Sequence, residues 1–189
     1  MWDPWSRSAC HWGRELRSSG TRLPIVQHDD SVDIPYEEGK RIMTTSIDTN
    51  QREAIARRYV AEVFTGSNAE RARDFFTADI AWHGGALGTV TGVDTVVPVL
   101  GGFIGALSDI QATVQDAIAS DDLVALRLVV TATHTGNLLG VPATGRPIRW
   151  DAVDIYRVND DGRISEQWAF EDLAAILSQV GAIALPWAG

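Results

Sequence analysis

Cysteine occurs once in the 189 residues, at Cys10. An internal disulfide and a thiolate metal cluster are therefore excluded. Histidine is sparse: four residues, at positions 11, 28, 83 and 134, none at a local metal-ligand spacing. No apolar run approaches twenty residues, so the sequence offers no membrane-spanning helix. Basic residues are in deficit, 16 against 25 acidic, for a formal net charge of −9. That balance argues against nucleic acid or an anionic membrane as partner. No nucleophile motif surrounds Ser46, Ser67 or Ser108. The glycine-rich run Gly84 to Gly88 lacks the spacing and the following Lys-Thr of a phosphate cradle. The default left by these absences is a cytoplasmic protein that uses no metal and no cofactor. What is present, 45% hydrophobic residues in a chain of this length, suffices for one cored domain with a tail.

The tail is residues 1–42. It shows no sustained period of 2 or 3.6, holds three of the seven Trp and the single Cys, and is rich in turn formers. It lacks the basic, apolar and small-residue regions of a signal peptide. The composition predicts disorder. Met43 opens an ordinary start, Met-Thr-Thr-Ser-Ile, and Glu37-Glu38-Gly39-Lys40 before it implies purine-rich codons. Translation is therefore expected to begin at Met43, with a functional N-terminal arm as the alternative. The domain is taken as residues 43–189.

From Thr49 to Thr65 the apolar residues Ile55, Tyr59, Val63 and Phe64 fall on one helical face, with Arg52, Arg57 and Arg58 largely elsewhere. Asp48 or Asn50 is the expected cap. Ala69 to Phe76 reads as a second, short helix and Ile80 to His83 as a short strand. Gly84 to Gly88 reads as a loop and Gly92 to Leu107 as a third helix. Ile110 to Ile118 alternates as a strand, and Leu123 to His134 is long and apolar on both faces near its middle, the mark of a central strand. Ile148 to Val158 is a β-type run. Asn159-Asp160-Asp161-Gly162 is a turn tetrad with glycine where positive φ is needed. Arg163 to Phe170 resumes as a strand, and Leu173 to Val180 has helical spacing. This order predicts an α+β fold, with helices over one face of a curved antiparallel sheet and a pocket between them.

Anchors along the C-terminal part carry a family resemblance. They are Thr133-His134-x-Gly136, Gly140-x-Pro142-x-Thr144-Gly145-Arg146, Asp154-Ile155-x-Arg157, Asp161-Gly162-Arg163-Ile164, Glu166-Gln167-Trp168 and Gln179-Val180-Gly181. At these residues the chain resembles the SnoaL-like polyketide cyclases, also called ester cyclases, within the NTF2-like superfamily. The match extends more weakly back to about Asn50. The resemblance implies an NTF2-like cone: a curved antiparallel sheet, about three N-terminal helices and a short C-terminal helix enclosing a pocket. It also implies metal-free acid/base chemistry on a polyketide-like molecule. In the cyclases an Asp after the Glu-x-Trp-like segment moves the proton, and a His on the preceding strand orients the substrate. Aligned through Asp-Gly-Arg-Ile, the first position falls on Ala169 and the second on Asp154. A methyl group cannot carry a proton, so the chain departs from the cyclases at their decisive residue.

Alternation along 148–158 places Trp150, Ala152, Asp154 and Tyr156 on one face, and the resemblance makes that face the cavity side. An Asp there would have a raised pKa, as a general base near neutrality needs; a structural ion pair is the alternative. Asp172 is a second candidate, although a capping role before Leu173 accounts for it without chemistry. Glu171 beside it reads as solvated. His134, at the end of the central strand, could shuttle protons or hydrogen-bond a loop. His83 with Trp82 is a candidate pocket pair, and Tyr59 could aim its hydroxyl inward or pack in the core. Trp168 reads as structural, wedged between sheet and helix. Asp154, Asp172 and His134 are thus the candidate catalytic residues. Trp150, Tyr156, Tyr59, His83 and Ala169 are the candidate ligand contacts. Two functions remain open: an enzyme acting on a small hydrophobic oxygenated molecule, or a non-catalytic ligand-binding or dimerisation module that has lost its acid/base group at Ala169. A homodimer paired through an exposed sheet face is expected.

Overall fold

The computed structural model describes residues 47–187. The expectations of tail disorder and of a start at Met43 lie outside those residues. Chain contacts divide the protein into Met1–Ile42 and Met43–Gly189, and everything below concerns the second unit.

Helix α1, Thr49–Tyr59, starts at Asp48, whose carboxylate accepts from the Gln51 backbone N–H while the Gln51 side chain accepts from the Asp48 N–H. This reciprocal pair satisfies two of the orphan donors at the helix start. Asp48, not Asn50, is therefore the cap. The helix loosens into a π-helical turn, Val60–Thr65, and a 3-10 turn follows at Ala69–Asp74. Arg52 does not stay on the polar face. It is buried, donates to the Val158 carbonyl at 2.9 Å, and also reaches the Ile47 carbonyl and Asp160. It thereby ties the start of α1 to the turn at 159–162.

Strand β1 runs Phe76–His83, β2 Thr89–Thr91, β3 Leu107–Ser120, β4 Leu123–His134, β5 Pro147–Val158 and β6 Ile164–Glu171. Helix α2, Val93–Ile104, crosses between β2 and β3, and α3, Leu173–Gln179, follows β6. The sheet order is β2-β1-β6-β5-β4-β3. This is the expected α+β, NTF2-like architecture with three corrections. The predicted second helix is shorter, so β1 begins at Phe76. A three-residue strand, too short to show alternation, follows the glycine loop. And β1 pairs with β6 in parallel, because α2 carries the chain across between β2 and β3, leaving β1 beside the last strand.

Strand β5 alternates buried and exposed at nearly every residue, with Ile148, Trp150, Ala152, Asp154, Tyr156 and Val158 inward. Its turn to β6 closes with Gly162 at φ +77°. The helices α1 and α2 cover the inner face, against β3–β4 and β1 respectively. At the centre Tyr59 contacts Phe64, Phe75, Phe76 and Tyr156 with ring centroids 5.2–6.0 Å apart. Such aromatic pairs contribute about 0.5–1.5 kcal/mol each beyond burial, and they fix α1 over the inner face of β5.

Candidate active site

Between the sheet and α2 lies a cavity of about 440 Å³. Trp82, Ala169 and Glu171 line it from the sheet, and Phe64, Leu100 and Phe103 from the helical side. Among the described residues lining it, Glu171 is the single ionisable side chain. Gly84 is required beside it: a Cβ there would fall 2.2 Å from the Trp82 ring, so only glycine lets that indole lie against the loop.

The polar groups come from two paired strands. Asp154 on β5 stands directly opposite Ala169 on β6, with Tyr156 opposite Gln167 and Ala152 opposite Glu171. Period-2 alternation puts Gln167, Ala169 and Glu171 on one face of β6. The Tyr156 hydroxyl donates to Asp154 Oδ2 at 2.6 Å, and Gln167 Nε2 donates to the same oxygen at 3.5 Å. Asp154 Oδ1, Gln167 Oε1 and the Tyr59 hydroxyl are buried without a hydrogen-bond partner. Trp150 donates its indole N–H to Glu171 Oε2.

Burial pushes Asp154 up to about 6 against the hydrogen bonds of Tyr156 and Gln167. Burial, reinforced by the charge of Asp154, pushes Glu171 up to about 8, opposed by the Trp150 hydrogen bond. Both carboxyls, on one face of the sheet, are thus raised above the ordinary carboxylate range, Glu171 further than Asp154. Such shifts mark acid/base sites. Tyr59 and Tyr156 are held well above the ordinary phenol range, by burial first and then by Asp154, so both remain protonated.

The structure distributes the candidates unevenly. Ala169 lines the cavity. Asp154, Tyr156 and Tyr59 form a buried polar layer beside it, and Trp150 reaches it through Glu171. His134 is buried apart from them, its Nδ1 2.9 Å from Thr144 Oγ1 and its Nε2 unpartnered. Asp172 is exposed and accepts from the Ala175 backbone N–H at 2.9 Å, capping α3. His83 is on the opposite face of β1 from Trp82. It stacks on Trp168 at 5.4 Å and lies 3.0 Å from both Thr89 Oγ1 and Glu166 Oε1. The supposed Trp82–His83 pair is therefore split by strand alternation. Trp168 is likewise on the outer face, not wedged under a helix, with the Arg157 guanidinium 5.9 Å from its ring. Glu171, which the sequence reads as solvated, lines the cavity instead. Its signal was the same alternation used on β5, applied to β6 beyond Ala169. Among the described residues no group of His, Cys, Asp and Glu is arranged to hold a metal ion.

The family model for SnoaL-like polyketide cyclases matches residues 54–180. The chain belongs to that family. Among solved structures, this SnoaL-like chain is similar to IdmH of Streptomyces antibioticus, a candidate polyketide cyclase. They share 31% identity over 69% of this chain and 99% of that one, with a TM-score of 0.59. It is also similar to AclR of Streptomyces galilaeus, a candidate hydroxylase, at 28% identity, 72% and 100% coverage and a TM-score of 0.65. A SnoaL-like protein of Jannaschia sp. shares the fold at 19% identity, 72% and 95% coverage and a TM-score of 0.66. No curated protein matches. Among the described residues of this family member, no helix is long and apolar enough to cross a membrane.

Proposed function

We propose that this SnoaL-like protein performs acid/base chemistry without a cofactor on a mostly apolar, oxygenated small molecule of the polyketide type, with Glu171 as the proton-moving group. The observation that carries this reading is the single ionisable side chain on a mostly apolar cavity wall, raised to about 8 and held by Trp150. Its ionised form accepts a proton from a carbon flanked by carbonyls. The resulting enolate forms a carbon–carbon bond to a second carbonyl of the same molecule. The protonated Glu171 then returns its proton to the new alkoxide. Bonds and protons balance within one substrate, and the carboxyl is regenerated. At pH 7 a carboxyl with a pKa near 8 is about one-tenth ionised, enough to serve both as base and as acid. Asp154 acts beside it: fully buried and already bonded to Tyr156, it raises Glu171 electrostatically rather than touching the substrate.

The test is turnover of a panel of aromatic β-keto esters, each bearing an additional ortho-acyl group as the acceptor carbonyl, by the wild type and Glu171→Gln. Loss of at least a hundredfold in kcat in the variant, with KM little changed, is expected for a transition-state proton-transfer group. Wild-type binding without turnover above the variant would make the protein a ligand-binding module instead.

A further inference from the structure

Four non-glycine residues of the described chain have positive φ: Ser67, Asp109, Asp121 and Leu139. Three are short and polar, and side chains of that kind can bond their own backbone in turns. Leu139 is the exception. At φ +51° its Cβ crowds the carbonyl with no local hydrogen bond in return. The turn around it is closed by hydrogen bonds. Leu138 and Val141 exchange N–H···O bonds at 2.9 Å in both directions, Gly140 follows at φ +87°, and the Gly140 N–H donates to Asn137 Oδ1 at 3.0 Å. Both central residues of a two-residue turn thus sit in the left-handed region, where Asn-Gly is the usual pair. Leucine occupies the asparagine position.

The direction of the side chain supplies the reason. Leu138 is buried, whereas Leu139 lines the cavity and is still 44% exposed. Two other aliphatic cavity-lining residues share that double character: Leu87 within the glycine loop, 41% exposed, and Val99 on α2, 37% exposed. Three aliphatic groups from three separate segments, with the exposed Asn137, are therefore both on the cavity lining and open to solvent, which places them toward its mouth. A single exposed leucine needs no explanation, but a strained one that shares a cavity lining with two other exposed aliphatic residues does. Strain of this kind persists where the surroundings impose it and function uses it.

We propose that Leu139 is a specificity-determining residue. The turn holds it in the left-handed conformation so that its side chain, with Leu87 and Val99, covers the outer end of a bound molecule longer than the enclosed cavity. This rests on the cavity being the ligand site, as in the proposed function, but not on Glu171 moving a proton. The favoured ligand is an elongated apolar molecule whose far end stays between these three residues.

Two probes and two variants test it. The probes are 1,8-dihydroxyanthraquinone, with three fused rings, and the single-ring 2-hydroxyacetophenone, each titrated by tryptophan fluorescence. Leu139→Asn places a residue that tolerates the backbone, and Leu139→Ala removes the side chain without relieving φ. Expected for Leu139→Asn are a melting temperature a few degrees above wild type and a Kd for the three-ring probe about tenfold weaker, with the one-ring Kd unchanged. Leu139→Ala should show the same loss of affinity without the thermal gain. The proposal is overturned by a lower melting temperature for Leu139→Asn, by equal effects on both probes, or by absence of three-ring binding to the wild type. A change of oligomeric state in either variant at unchanged affinity also overturns it, since a second copy would then cover the rim. Glu171→Gln with intact binding but no turnover would separate this result from the catalytic one.

Discussion

Glu171 lies two residues beyond Ala169 on the same face of β6, so the strand carries its carboxyl one pleat repeat past the Ala169 methyl that stands opposite Asp154. That offset is roughly 7 Å along the strand. Ala169 leaves room opposite Asp154, and Glu171 reaches the cavity with the longer side chain, steadied by Trp150.

The raised acidity constant of Glu171 has a consequence for stability. Its folded value of about 8 exceeds the ordinary 4.5, so the folded state binds the proton more tightly than the unfolded chain. The associated stability is fully present below pH 4.5 and is lost as the pH rises through about 8. Asp154, raised from 3.8 to about 6, adds the same sign in a lower window. Thermal unfolding of the wild type should therefore weaken between pH 5 and pH 9 more than that of Glu171→Gln. The variant, permanently neutral and still able to accept from Trp150, should be the more stable protein at pH 9 by up to about 4 kcal/mol. Parallel stability curves for the two proteins would show that Glu171 titrates normally.

Asp154→Asn removes the charge that helps raise Glu171 while keeping an amide that can accept from Tyr156. The Glu171 carboxyl should then titrate about 1 pH unit lower, the order of a charge one diagonal strand position away. A ¹³C NMR titration of the glutamate carboxyl in both proteins reads this directly. An unmoved titration would mean that burial alone sets Glu171 and that Asp154 has no part in tuning it.

Introducing a carboxylate with Ala169→Asp places it directly opposite Asp154 and within one pleat of Glu171. Three carboxyls on one buried face cannot all ionise. The variant should lose about 2–3 kcal/mol at pH 8 and distinctly less at pH 5, where protonation relieves the repulsion. Urea unfolding at the two pH values separates this from steric overpacking, which would cost the same at both.

Trp168 is the largest side chain near the hairpin end, and sequence pattern alone makes it a core residue. On the outer face it contacts His83 and Arg157. Trp168→Ala should accordingly cost about 1–2 kcal/mol, the scale of stacking and cation–π contacts, not the roughly 3–5 of a core truncation. Chemical denaturation measures it, and ligand affinity should stay at the wild-type value.

Local pattern was enough for much of this molecule. The alternation of Ile148 to Val158 determined by itself which side of β5 Asp154 and Trp150 occupy, because period-2 geometry leaves no choice once one face is buried. The Asn159–Gly162 turn and the apolar face of α1 are local in the same way, and the anchors from Thr133 to Gly181 were enough for the family and the fold. What the tertiary structure decided depends on groups distant in the chain. β1 lies parallel to β6 because of the α2 crossover, and this puts Trp82 on the cavity wall while His83 goes to the outer face. Asp172 is spent on the α3 cap. Glu171, one residue earlier, turns inward to the Trp150 indole, 21 residues away in the chain. The acidity of that carboxyl is a property of burial and of the Asp154 charge across the strand pair. No reading of neighbouring residues supplies it, since desolvation exists only after the sheet and α2 have closed around the cavity.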